Sequence, residues 1–170
     1  TECRVVDPEE PTRDVPAGER GELVVRGPQV FQGYYGKPEE TEAVFADGWF
    51  RTGDIVQIDD DGFVRIVDRI KELIITGGFN VAPTEVENAL RQHPHVVDAA
   101  VVGLPSDRSG EEVVAAVVLD GSGEGDASEI REFVRSILTP YKVPRRIFIV
   151  DELPKSLIGK VMRRQAVSYT

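Results

Sequence analysis

Seven apolar residues in succession, Val113-Val114-Ala115-Ala116-Val117-Val118-Leu119, constrain this chain's fold more than any other segment. The run is rich in β-branched residues and falls far short of the ~20 apolar residues a membrane helix requires, so it reads as a buried strand. A similar run, Val96 to Val102, precedes it, and a polar turn joins the two. Further strands are expected at Arg4-Val5-Val6, Glu22 to Arg26, Ile55 to Ile58, Phe63 to Val67, Leu73-Ile74-Ile75 and Arg146 to Val150. The Asp59-Asp60-Asp61-Gly62 segment between the third and fourth of these predicts a β-hairpin. Helices are expected from Pro38 to Phe45, with proline first and acids in the opening turn, and after two capping boxes, Thr84 with Glu87 and Asp126 with Glu129. The first of these helices would carry Val86, Ala89 and Leu90 and stop near His93-Pro94. The second would carry Ile130, Phe133, Val134, Ile137 and Leu138 on one stripe. Strands and helices intermix, so the class is α+β or mixed α/β.

The 170 residues allow one ordinary domain or two small ones, and 41% apolar with 29% charged residues is a globular composition. The opening Thr1-Glu2-Cys3-Arg4 lacks the pattern of a signal peptide, and Cys3, the single cysteine, suits a reducing compartment. A cytoplasmic protein without a transmembrane segment is therefore expected. The net charge is −10, which disfavours nucleic acid as a partner. The charge is uneven: residues 131–170 hold 3 acids and 9 bases, a net of +6. That basic tail (Arg135, Lys142, Arg145, Arg146, Lys155, Lys160, Arg163, Arg164) fits a solvated helix face or a surface for a small polyanion such as a nucleotide.

Generic chemical signatures mostly fail. Asp59, Asp61, Gly62 and Asp68 approach calcium-loop spacing, but Gln57 stands at the first ligand position and strands flank the segment. His93 and His95 lack a neighbouring cysteine or carboxylate cluster, so no metal site is expected. Gly159-Lys160 ends like a phosphate-binding loop, yet Pro154 replaces its first glycine and Val161 its magnesium-holding hydroxyl. A lysine after glycine in a polar segment can still meet a phosphate or carboxylate as a movable point charge.

Four segments taken together are far more specific: Gly48-Trp49-Phe50-Arg51-Thr52-Gly53-Asp54, Asp68-Arg69-Ile70-Lys71-Glu72, Gly77-Gly78-Phe79-Asn80-Val81-Ala82-Pro83-Thr84-Glu85-Val86-Glu87, and Leu153-Pro154-Lys155-Ser156-Leu157-Ile158-Gly159-Lys160. Their order and spacing resemble the C-terminal part of the adenylate-forming enzymes, the superfamily of acyl-CoA synthetases, peptide-synthetase adenylation domains and firefly luciferase. Tyr141-Lys142-Val143-Pro144 and Val161-Met162-Arg163-Arg164 most resemble the fatty-acyl-CoA ligase branch. The resemblance implies that residues 1–69 are the β-rich end of a large N-terminal AMP-binding domain and residues 70–170 a small mixed α/β lid. The family's phosphate loop, adenine segment and acyl pocket normally precede this region. A C-terminal fragment, inactive alone and prone to self-association through strands cut from their core, is therefore expected.

The implied reaction joins a carboxylic acid, which the branch resemblance specifies as a long- or medium-chain fatty acid, to ATP and then to CoA. The carboxylate attacks the α-phosphate, giving acyl-adenylate and pyrophosphate; the CoA thiol then displaces AMP. By resemblance, Asp54 accepts bonds from the ribose hydroxyls, Arg69 contacts the nucleotide, and Lys71 occupies the hinge. Gly77 and Gly78 line the pantetheine passage, and Lys160 stabilises charge between carboxylate and α-phosphate as the catalytic residue. Mg2+ would accompany ATP, held mainly by the preceding part. Each assignment has a plainer counterpart: a strand-capping carboxylate at Asp54, an exposed ion pair at Arg69, a linker charge at Lys71, a tight turn at Gly77-Gly78, and a solvated lysine at 160. Glu85 is explained equally by helix N-terminal charge, and Trp49 and Phe50 by packing. Loading of a carrier protein, or a non-catalytic binding or regulatory lid, are the alternative functions.

Overall fold

The computed structural model describes residues 1–59, 61–122 and 125–166, except for the side chain of Arg164. It is a mixed α+β fold dominated by strands, divided into two compact units, Thr1–Lys71 and Glu72–Thr170. Among the described residues, no helix is long and apolar enough to cross a membrane.

The first unit is a five-stranded antiparallel sheet of β1 (Glu2–Val6), β2 (Arg20–Arg26), β3 (Phe45–Ala46), β4 (Trp49–Ile58) and β5 (Val64–Arg69). The long β4 pairs with β2 along one edge and with β3 and β5 along the other. The expected hairpin forms between β4 and β5, with Asp59 accepting from the Asp61 and Phe63 amides; Asp60 lies outside the described residues. Trp49 is buried against Val6 and Val24, with the guanidinium groups of Arg4 and Arg26 over its ring at 5.2 and 4.5 Å. Phe50 joins Phe31 and Phe45 in a ring cluster. Helix α1 (Pro38–Ala43) follows its proline as expected.

The second unit is a sheet of β6 (Ile74–Thr76), β7 (Phe79–Val81), β8 (Val96–Ser106), β9 (Gly110–Leu119) and β10 (Arg146–Ile149), with helices α2 (Pro83–Leu90), α3 (Ala127–Arg135) and α4 (Arg163–Ala166). The two seven-residue runs form the antiparallel β8–β9 ribbon, and β10 lies parallel to β9. Both faces are covered over Ala99–Val101 and Val113–Val117, which is why these stretches are apolar without alternation. Ala99, Val101, Ala115 and Val117 face the main core with Val86, Leu90, Ile130 and Val134 from α2 and α3. Ala100 and Ala116 face the other way, against Leu153, Val161 and Ala166.

Two local expectations need correction. Thr84 and Glu87 do not form a capping box: the helix begins at Pro83 with Ala82 at the N-cap and no side-chain cap. Both side chains bond Arg163 instead, a stronger demand than a surface cap, since Glu87 is buried. The apolar stripe of α3 also ends early, because the helix stops at Arg135 and Ile137 is exposed. By contrast, Asp126 caps α3 by accepting from the Ser128 and Glu129 amides. Strand β7 is not expected from the sequence, the first helix stops at Ala43 because Phe45 enters β3, and α2's stop at Leu90 and the reach of β8 to Ser106 depart from expectation by a few residues.

Candidate functional site

Within the first unit, the segment ending at Asp54 makes a local break in β4. Glu22 pairs with Ile55 and Val24 with Arg51, so the single residue Leu23 faces the three residues Thr52–Gly53–Asp54. Gly53 has φ +72°, a backbone state that disfavours any side chain, and no atom approaches its Cβ position. Neighbouring side chains hold the break open. Arg51 Nε and Nη2 donate to Glu22 Oε2 at 2.9 and 2.6 Å, and the Gly53 N–H donates to Glu22 Oε1 at 3.2 Å. Thr52 Oγ1 donates to the Leu23 carbonyl (2.7 Å) and accepts from the Asp54 N–H (3.1 Å). Each residue type in Arg-Thr-Gly-Asp thus has a structural task, and together they aim Asp54.

Asp54 and Arg69 are directly opposed on β4 and β5, and Arg69 Nε donates to Asp54 Oδ1 at 3.1 Å. The register skips Val67, a bulge that re-aims the end of β5. The Asp54 side chain is 21% exposed and that of Arg69 66%. Asp54 Oδ2 has no hydrogen-bond partner among the described residues, which leaves an acceptor-only group for a hydroxyl-bearing ligand. Lys71 follows, exposed, in the 3-10 turn Ile70–Glu72.

In the second unit, Gly77 and Gly78 form the two-residue turn between β6 and β7, with φ +57° and +81°. Two positive φ values define the hairpin turn whose twist matches its strands. Both glycines are exposed, and open space surrounds the Cβ position of each. The backbone conformation therefore requires glycine irrespective of a ligand, while the open side is accessible. Beyond the turn, Phe79 stacks on Tyr141 at 4.4 Å. Glu85 pairs with Lys142 Nζ at 2.7 Å, so its role exceeds helix N-terminal charge.

Lys160 lies on a small hairpin. Lys155 bridges Val161, the Ser156 N–H donates to the Lys160 carbonyl (2.8 Å), and the Lys160 N–H donates to Ser156 Oγ (3.1 Å). Leu157 and Ile158 at its tip are fully exposed. The Lys160 ammonium is exposed and makes no ion pair among the described residues. At the hairpin's base, Lys155 Nζ sits 2.9 Å from Asp98. Burial pushes the Asp98 carboxyl up, but the Lys155 hydrogen bond, the Ala99 N–H and the charges of Lys155 and Arg91 leave it below the ordinary range.

The structure thus joins Asp54 to Arg69 and sets Lys71 two residues on, whereas Gly77-Gly78 and Lys160 occupy separate turns of the second unit. Sequence reasoning missed Glu22 as the support of the Asp54 segment and Arg163 as the partner of Glu87. Neither partner lies within helical or turn spacing, so no local signal marked them. His93 is buried against Phe133, and His95 lies 3.2 Å from Asp120. The Asp120 carboxyl is lowered to about 2, first by the Ser122 hydroxyl and amide and then by His95. Among the described residues, no group of three His, Cys, Asp or Glu could hold a metal ion. A cavity of about 480 Å³ beside Arg4, Asp14 and Ile58 contains none of the candidate residues.

Comparison with known proteins places the chain in a family. Residues 85–160 match the AMP-binding enzyme C-terminal domain. A long-chain-fatty-acid–CoA ligase of Bacillus subtilis (strain 168) is 48% identical over 147 residues, 86% of this chain and 26% of the relative. A feruloyl-CoA synthase of Amycolatopsis is 45% identical over 149 residues, 88% of this chain and 30% of the relative. The crystal structure of ATP-bound MatB from Rhodopseudomonas palustris superposes with a TM-score of 0.89 at 40% identity, covering 99% of this chain and 34% of that one. The chain spans about a quarter to a third of the length of these relatives. It belongs to the AMP-binding, adenylate-forming enzymes, to whose C-terminal region it corresponds.

Proposed function

We propose that this chain is the C-terminal part of a cytoplasmic, ATP-dependent, AMP-forming acid–thiol ligase for a fatty acid. Residues 1–69 complete its large domain and residues 70–170 form its lid. The carboxylate oxygen attacks the α-phosphorus of ATP and pyrophosphate leaves; the CoA thiol then attacks the acyl carbonyl and AMP leaves with the bonding electron pair. Asp54 accepts from the ribose hydroxyls, Arg69 faces the nucleotide, and Lys71 is the hinge. Gly77 and Gly78 border the path of the CoA arm, and Lys160 offsets the charge that develops during adenylation. Mg2+ would accompany ATP; among the described residues no group of three His, Cys, Asp or Glu gathers to hold it.

The observation that carries this reading is the Asp54–Arg69 pair, which joins two of the four segments and is aimed by the Glu22–Arg51 and Thr52 bonds. The acyl class is supported by the 48% identity to a long-chain ligase, and the feruloyl-CoA synthase makes an aromatic acid the competing outcome. The test is made in the longer enzyme that contains this chain. Lys160→Ala should lower carboxylate-dependent pyrophosphate exchange by about 10²–10³-fold while thioester formation from synthetic acyl-adenylate and CoA persists. Hexadecanoate should support exchange and ferulate should not. Equal loss of both half-reactions refutes the role of Lys160, and preference for ferulate refutes the acyl class.

A further inference from the structure

The hairpin carrying Lys160 is anchored on both sides, and the two anchors differ in kind. On the entering side Lys155 meets Asp98 through one exposed ammonium. On the leaving side Arg163, the first residue of α4, makes a two-pronged bond to a buried carboxylate: Nε donates to Glu87 Oε1 (2.7 Å) and Nη2 to Glu87 Oε2 (2.8 Å). Glu87 is 5% exposed and also accepts from the Val101 N–H at 3.1 Å. Arg163 Nη2 donates further to Thr84 Oγ1 (2.7 Å), and Nη1 pairs with Glu72. A planar fork on a buried carboxylate fixes both the position and the orientation of the guanidinium. Glu72 is the first residue of the second unit, one peptide bond beyond Lys71.

The geometry points to Arg163 as a positioning residue that joins the Lys160 hairpin, α2 and the first residue after Lys71 into one body. This inference rests on the proposed ligase reading, in which rotation at Lys71 must deliver Lys160 to the reacting groups. The hairpin's exposed tip supplies no packing of its own, so the place of Lys160 is set at its base. There Val161 and Ala166 lie over Ala100 and Ala116, and Arg163 locks the same stretch laterally to Glu87. Misplacing a reacting group by about 1 Å can cost ~10²-fold in rate, which gives the anchor kinetic weight.

Arg163→Lys tests this, because it keeps a cation for the buried Glu87 while removing the fork. In the longer enzyme, pyrophosphate exchange should fall roughly 10–100-fold with the ATP KM changed less than about threefold. Thioester formation from synthetic acyl-adenylate should stay within about threefold of wild type. Glu72→Ala, which removes one arm of the anchor, should lower exchange in the same direction by less. In the 170-residue chain, Arg163→Lys should speed amide exchange at Gly159 and Met162 about tenfold without affecting β8 and β9. Equal loss of both half-reactions, or unchanged pyrophosphate exchange, overturns the inference. Lys160→Ala run beside it separates the causes. If that variant retains exchange, the ligase reading fails and the positioning role with it. If it loses exchange while Arg163→Lys retains it, only the positioning role fails.

Discussion

Glu22 accepts both donating nitrogens of Arg51 and the Gly53 N–H while only 1% exposed, so one carboxylate supports the backbone break that presents Asp54. Removing its cation leaves a buried charge uncompensated. Arg51→Met should therefore destabilise the chain by about 3 kcal/mol, measured as a lower urea midpoint at unchanged slope. A loss under 1 kcal/mol would show that Glu22 is satisfied without Arg51. Asp54, Arg69, Gly77, Gly78 and Lys160 could be singled out as candidates because each sits in a short segment of distinctive content. Glu22 and Arg163 were not, because their partners lie 29 and 76 positions away. A carboxylate in a β-strand and an arginine in a basic tail look like solvated residues until the fold brings their partners to them.

Among the elements, the two expected capping boxes separate cleanly. Asp126→Ala should cost about 1 kcal/mol, because Asp126 satisfies the Ser128 and Glu129 amides of α3. An unchanged melting midpoint would show that solvent replaces this cap. The sequence pattern at Thr84 and Glu87 is equally good, and the same letters there serve a tertiary anchor because Arg163 offers both side chains a stronger partner. The anchored hairpin also predicts an acid response. Folded Asp98 binds its proton less readily than the ordinary value of 3.8 allows, so the unfolded chain takes up more protons as pH falls. The stability from this group is complete above about pH 4 and is lost as pH falls through the lower folded value. Asp98→Asn should flatten the acid side of the stability profile by that contribution; an identical profile would show that the Lys155 contact is inert. The strands were the most legible elements, since their apolar runs are short and bounded by turns. Strand β7 was not, because Phe79-Asn80-Val81 is too brief to declare a period.

At the level of the whole molecule, surface composition makes the last prediction. Phe63, Val64 and Ile66 are exposed at β5, with Ile66 at 65%, and among the described residues β5 pairs only with β4. An apolar strand edge is a template for association. The 170-residue chain should therefore self-associate as concentration rises, and Ile66→Lys should shift it toward monomer in sedimentation velocity. Monomer at every concentration would contradict this. The class and order of elements were readable along the chain, while the partition of the β8–β9 ribbon into two differently lined faces was not, because an uninterrupted apolar run conceals which side each residue takes. That partition matters for how such a protein can change. On one side the ribbon meets the bulky Val86, Leu90, Ile130 and Val134 of the helices, whereas on the other Ala100 and Ala116 lie beneath the arm bearing Lys160. Those two methyl groups act as a shim. Neighbouring letters of one strand thus address different properties, one the firmness of the wall and the next the height at which the arm rests, and drift can adjust either without retuning the other.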